Sequence, residues 1–303
     1  MSLFSKIWVF IIWFGFFSCK ESEVEFSANN CKKNPAFIRS IGYDPAASSF
    51  STSDEGVMGL VLQQSEQPGN TESGTVKKFQ HSSWKKAGWL APILIDSKGD
   101  IYVAPAPFIS VLYNKASDQN KIYRVDRTTG IMDVFLKLPL TDSSNIQNPF
   151  GIIGMVLLCE TNTLYVSTIS GSDRLHERGC IYAIDLDSKR IIDEIAGTDA
   201  MGMGITYITG QRKLFFGTGR SSDVFSVTLT GKGKFSGSPK KEFSLVGLGS
   251  AGDDRVRRIR TDQYGNLIIH GMEFNYNLIP AREKKETVYK FYYETSTQAW
   301  ILK

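Results

Sequence analysis

The chain carries three histidines, His81, His176 and His270. None lies beside another or in the His-Glu-x-x-His spacing that puts two zinc ligands on one helix face. Asp173, His176 and Glu177 sit together in the loop Gly171 to Gly179 and could form a small polar site. No Gly-x-Ser-x-Gly elbow is present, and no Ser/His/Asp or Cys/His set emerges from the spacing. The run Asp253-Asp254-Arg255-Val256-Arg257-Arg258-Ile259-Arg260 draws more interest. A desolvated lone guanidinium is costly, so these arginines need either carboxylate partners or a ligand anion. Pairing with Asp253 or Asp254 between neighbouring sheets is the structural expectation for Arg258. Recognition of an acidic sugar or another anion is the sharper one. Trp84, Trp89, Phe108, Phe150 and Phe274 fall in connections or at strand ends; wedging between blades is the structural expectation for each, and stacking of an exposed ring on a sugar face is the sharper one. The candidate ligand-binding residues are therefore Trp89, Phe150, Arg220, Arg258, His270 and Glu273.

The elements that must position these residues are short strands. With 303 residues, 42% hydrophobic and 22% charged, the chain can bury a sizeable core and is not a disordered polymer. Lys and Arg number 35 against 31 Asp and Glu, a net charge of +4, so no global field argues for nucleic acid as a partner. After residue 19 no amphipathic run of helical length stands out. One strand type recurs at Met58–Gln63, Asp100–Pro105, Thr163–Thr168, Lys213–Thr218 and Asn266–Gly271. A second type follows each, as in Lys121–Val125, Cys180–Ile184 and Thr287–Phe291. A third precedes most of them and ends in a polar turn, and a weaker fourth closes the unit.

Four antiparallel strands repeated at roughly 42 to 64 residues predict an all-β chain, a β-propeller of four-stranded blades. A single four-stranded sheet cannot bury both of its apolar faces, whereas radial stacking buries both and leaves only short edges. Five units can be counted, the first the least regular, and six are allowed. Phe37–Tyr43 is read as a stray strand of a sixth blade or as a strap closing the last sheet.

The N-terminus is read as a targeting segment. Lys6 precedes the apolar run Ile7 to Phe17, which is too short to cross about 30 Å of hydrocarbon. The run ends in Phe16-Phe17-Ser18-Cys19, which resembles a bacterial lipobox. That resemblance implies a signal peptide over 1–18, lipidation at Cys19, a tether over 19–36 and a propeller over 37–303. It also implies an outer-membrane lipoprotein with the membrane as a partner. Lys20-Glu21-Ser22-Glu23-Val24-Glu25 is similar to the surface-export signal of Bacteroidota-type lipoproteins, so display is at the cell surface or on the periplasmic side.

The blades resemble the NHL and SMP-30/gluconolactonase-like propellers. Asn148-Pro-Phe-Gly-Ile152, Asp96-Ser-Lys-Gly99, Ile101-Tyr-Val103 and Ile122-Tyr-Arg-Val-Asp126 carry the likeness. Lactonases of that family hold a divalent cation on glutamate, asparagine and aspartate near the channel, so calcium is the cofactor the resemblance allows. Where a metal-binding blade would place Asn before Gly-Ile, this chain has Phe150 and Met203, which offer no oxygen ligand. No cofactor and no metal-ligating residue is therefore assigned.

Four cysteines form no disulfide scaffold. Cys159 and Cys180 are placed two strands apart in one blade, near 10 Å, so they are not expected to pair. Two functions follow. The first is a lipid-anchored module binding a small molecule, glycan, peptide or partner protein at one mouth of the channel. The second is a metal-dependent lactonase or hydrolase of the SMP-30 type.

Overall fold

The computed structural model describes residues 32–54, 56–65, 76–106, 113–139, 148–276 and 286–303. Its strands form five antiparallel sheets in chain order. The first holds β1 (Ser48–Ser51), β2 (Val61–Ser65) and β3 (Val76–Phe79). The second holds β4 (Leu90–Ile95), β5 (Ile101–Pro105), β6 (Lys121–Val125) and β7 (Met132–Lys137). The third runs β8 (Ile152–Leu158), β9 (Thr163–Thr168), β10 (Cys180–Asp185) and β11 (Arg190–Ala196). The fourth runs β12 (Ala200–Ile208), β13 (Gln211–Thr218), β14 (Asp223–Leu229) and β15 (Phe235–Ser244). The fifth runs β16 (Arg255–Thr261), β17 (Leu267–Met272), β18 (Thr287–Glu294) and β19 (Ala299–Leu302). Four sheets have four strands in simple up-and-down order, and the first has three among the described residues. The architecture is an all-β propeller, with five sheets among the described residues.

Each sheet buries its apolar face against the next. Trp84, Leu60, Leu62, Ile101 and Val103 join the first and second sheets. Tyr102, Ile122, Leu164 and Val166 join the second and third. Tyr165, Ile181, Leu214 and Phe216 join the third and fourth, and Phe215, Val256, Ile259 and Ile269 the fourth and fifth. Alternation along β9 supplies two of these interfaces at once, because Leu164 and Tyr165 point to opposite faces. The innermost strands approach closely, and small residues allow it. A Cβ on Gly202 of β12 would lie 2.7 Å from the Arg258 nitrogen of β16, and one on Gly154 of β8 would lie 2.3 Å from the Met201 oxygen.

One sequence reading is corrected. Phe37–Ser40 is a short helix, α1, not a strand, and Phe37 and Ile38 are both buried on the Trp84 core. Adjacent buried residues fit a helical turn, whereas strand alternation would have exposed one of them. Trp84 takes the expected core position: a 3-10 turn over Ser82–Ala87 directs it inward, where it is fully buried and donates to the Gly130 oxygen at 2.8 Å. Cys159 is disulfide-bonded and Cys180 is a free, buried thiol, so the two do not pair. Cys19, the signal segment, Cys31 and Phe108 lie outside the described residues.

Candidate functional site

The two ends of the propeller are built differently. At one end, tight turns join strands within a sheet. Asp96 Oδ1 accepts from the amides of Lys98, Gly99 and Asp100 at 2.8, 2.7 and 2.9 Å, which fixes the β4–β5 turn from its own residues. Asp262 does the same between β16 and β17, accepting from the Tyr264 and Asn266 amides at 2.9 and 3.0 Å. The Asp-x-x-Gly motif is thus a turn device. The chain enters here too: the Lys33 amide donates to the Asp96 oxygen and the Phe37 amide to the Arg127 oxygen.

The opposite end carries the connections between sheets, and there the contacts cross from sheet to sheet. Asp199, fully buried in the link between the third and fourth sheets, is the hub. Its Oδ1 accepts from Ser172 Oγ at 2.5 Å and the Gly179 amide at 2.9 Å. Its Oδ2 accepts from the Tyr276 hydroxyl at 2.5 Å and lies 3.4 Å from Arg220 Nε. Glu177 Oε1 receives the Asp199 amide at 2.7 Å. Burial first, and then the Asp199 hydrogen bond, push the Tyr276 hydroxyl well above its ordinary range, so it stays a donor. Asp254 occupies the equivalent place before β16 and accepts from the Tyr289 hydroxyl at 2.7 Å, which burial and Asp254 push up to about 12.

Tyr276 ends a segment that leaves β17 and crosses the mouth of the fourth sheet. Phe274 passes over Gly219, where a Cβ would meet its ring at 3.0 Å. Phe274 then packs on Phe150 of the third sheet, centroids 5.5 Å apart, and on Tyr276 at 5.3 Å. Asn275 Oδ1 accepts from Arg174 Nε at 3.3 Å, and Arg220 Nη1 donates to the Arg174 oxygen at 2.8 Å. The Arg220 guanidinium lies 5.2 Å from the Tyr276 ring centre. Its Nη2 is buried with no hydrogen-bond partner among the described residues. Phe150 is held from below: Asn148 Oδ1 accepts its amide at 3.0 Å, while Asn148 Nδ2 donates to the oxygens of Ile169 and Ser172 at 2.7 Å each. The result is a half-buried aromatic pair beside two guanidiniums, assembled from the third, fourth and fifth sheets.

Of the sequence candidates, Phe150 and Arg220 meet in this cluster, and Glu273 stands exposed at the start of the crossing segment. Trp89 lies at the same end, before β4, its backbone clasped by Asn114 at 2.9 Å in both directions. His270 pairs with Glu286 at 2.9 Å. Asp173 closes its own loop: it accepts from the amides of Leu175 and His176 and contacts the His176 ring at 3.0 Å. Those bonds, led by the one from the His176 ring, hold its carboxyl well below the usual range. Arg258 is exposed and pairs with neither Asp253 nor Asp254, whose carboxylate is taken by Tyr289. Tyr276 and Asp199 were not legible as a pair, being 77 residues apart.

Calcium or magnesium would need converging oxygen ligands. Among the described residues no group of three His, Cys, Asp or Glu side chains is placed to hold a metal ion. Phe150 and Met203 stand where such a blade would supply Asn, and the Asp199 carboxylate is taken up by Ser172, Gly179 and Tyr276. These residues do not fit the lactonase metal.

No family model matches the chain, and no curated protein matches it. Solved structures do. An exo-beta-1,3-galactanase from Phanerochaete chrysosporium, solved with galactose, is similar at 10% identity and a TM-score of 0.45, over 85% of this chain and 62% of that one. A GH43 beta-1,3-galactosidase solved with galactodeoxynojirimycin is similar at 9% identity and 0.43, over 84% and 92%. A glucose dehydrogenase is similar at 14% and 0.40, over 79% and 76%. This chain thus spans less than two thirds of the galactanase. At such scores the likenesses bear on neither activity nor ligand.

Proposed function

We propose that this protein is a lipid-anchored binding module that takes a carbohydrate at the loop end of its propeller, with Phe150 and Phe274 as the stacking surface. The observation that carries this reading is the half-buried Phe150–Phe274 pair, fixed by backbone and side-chain bonds from three sheets. A sugar ring has an apolar C–H face and a polar rim, which suits an aromatic platform edged by a few placed polar groups. Arg174, Arg220 and Glu273 supply that edge, and Trp89 lies at the same mouth.

The anchor reading agrees with this placement. The chain joins the propeller at the turn end, where Lys33 bonds Asp96. The 14 Cα-to-Cα steps from Cys19 to Lys33 reach at most about 50 Å. A lipid on Cys19 would thus join the fold at the turn end, on the side opposite the aromatic mouth. Replacing Cys19 with Ser should release the protein from the membrane fraction and abolish labelling by a fatty-acid analogue. Unchanged partitioning would contradict the anchor.

The test of the function is a screen of the full-length protein in detergent against neutral and acidic oligosaccharides, with lactone hydrolysis followed in parallel with and without calcium. Saccharide binding without hydrolysis is expected. Calcium-dependent lactone turnover would overturn the binding-module reading in favour of the hydrolase.

A further inference from the structure

Among the described residues, the last sheet has one face that no other sheet covers. Apolar clusters join the first sheet to the second, second to third, third to fourth and fourth to fifth, and among the described residues none joins the fifth to the first. The covered face of the fifth sheet carries Val256, Ile259, Leu267, Ile269 and Tyr289. The other face follows from the register. Arg260 pairs with Ile268 and Ile268 with Lys290, while Arg258 pairs with His270 and His270 with Val288. Directly paired residues share a face, so two cross-strand rows run from the innermost strand outward. A bulge between Val256 and Arg258 accommodates Arg257, which leaves Val256 and Ile259 inside and Arg258 and Arg260 outside.

The arginines of this face are not neutralised by the described residues of the sheet. Arg257, Arg258 and Arg260 are exposed, and among the described residues no carboxylate lies within ion-pair distance of them. The two nearby acids are engaged elsewhere, Glu286 by His270 at 2.9 Å and Asp262 by Lys290 at 2.9 Å. Crowding by protein pulls the Arg257 guanidinium below its ordinary value, as does Arg258, while Glu286 opposes. The Arg260 row ends in a cavity of about 520 Å³ lined by Tyr264, Asn266, Lys290, Tyr292, Leu302 and Lys303. Tyr264 is 72% exposed and Tyr292 36%, so both rings are available.

We infer that this open face is a second binding site, separate from the aromatic mouth, for an extended oligosaccharide that carries carboxylate groups. Arg258 and Arg260 engage successive carboxylates, since a guanidinium fork matches a carboxylate in two parallel bonds. Tyr264 and Tyr292 stack on the sugar rings at the outer end, with Lys290 and Lys303 beside them. The row from the innermost strand to the third strand of the sheet is about 10 Å long and ends in the cavity, a span that suits a few successive sugar units.

Titration calorimetry of the full-length protein with oligogalacturonate, at low and raised salt, tests this. Binding that weakens with salt is expected. The double variant Arg258→Ala/Arg260→Ala should weaken it about tenfold or more, and Tyr292→Ala a few-fold, with unchanged melting because these side chains are exposed. Phe150→Ala/Phe274→Ala should leave oligogalacturonate binding at this face intact, which separates this site from the mouth. Wild-type affinity in the double arginine variant would overturn the inference. So would loss of binding only in the mouth variant, or equal affinity for oligothymidylate.

Discussion

The aspartates that organise the two ends of this propeller, Asp96, Asp126 and Asp262 at one and Asp199 at the other, satisfy their carboxylates by different means. At the turn end an aspartate closes the loop that contains it: Asp126 Oδ1 accepts from the amides of Thr128 and Thr129, both at 2.9 Å and within three residues. At the loop end the partners are far apart in sequence. Asp199 meets Tyr276, Thr168 Oγ1 donates to Asn120 at 2.6 Å, and Asn148 ties down the loop beyond β9. Short self-contained turns make a rigid frame, and long-range polar ties hold side chains that no single loop could fix. Function on a propeller belongs to the second kind of end.

The sharpest way to break the comparison is to remove one aspartate from each end. Asp199→Ala strands Ser172, Tyr276, Arg220 and the Gly179 amide in a buried site, and should cost on the order of 3 kcal/mol or more in denaturant unfolding. Asp126→Ala removes local bonds from a partly exposed turn and should cost about 1 kcal/mol. Equal losses at both ends would mean that the Asp199 hub is not what holds the mouth.

A smaller effect concerns acid. Burial alone would raise the Asp262 carboxyl, but bonds from Asn266 and Lys290 outweigh it and bring it down to about 2. Its folded value is depressed, so its contribution is fully present above the unfolded value near 3.9 and is lost as pH falls through about 2. Stability measured between about pH 4 and pH 2 should therefore drop by on the order of 2 kcal/mol in the wild type, and by less in Asp262→Asn. Identical acid profiles would contradict the turn-locking role.

The same contrast explains what the sequence could show. The turn end was legible because Asp96 to Gly99, Ile101 to Val103 and Ile122 to Val125 form hairpins from adjacent residues, and alternation along them assigns both interfaces. Phe37–Tyr43 was misread because four apolar positions in seven resemble a strand until α1 is seen packed on Trp84. Phe150 could be named from its place in a connection, but its partner Phe274 arrives from the fifth sheet by a crossing segment that no local pattern encodes. Arg258 was assigned a carboxylate among its neighbours, yet Asp254 turns to Tyr289 and leaves the arginine exposed. Local chemistry is written in order along the chain, whereas the mouth depends on which sheets become neighbours.

The most direct test of the account is calorimetric titration of wild type and Phe150→Ala/Phe274→Ala with a neutral oligosaccharide found to bind the wild type. The account predicts that the double variant folds, with a loss of no more than about 3 kcal/mol from two half-buried rings, and that its saccharide affinity falls by about a hundredfold. Unchanged affinity in a folded double variant would contradict the claim that the aromatic pair at the loop end is the binding surface.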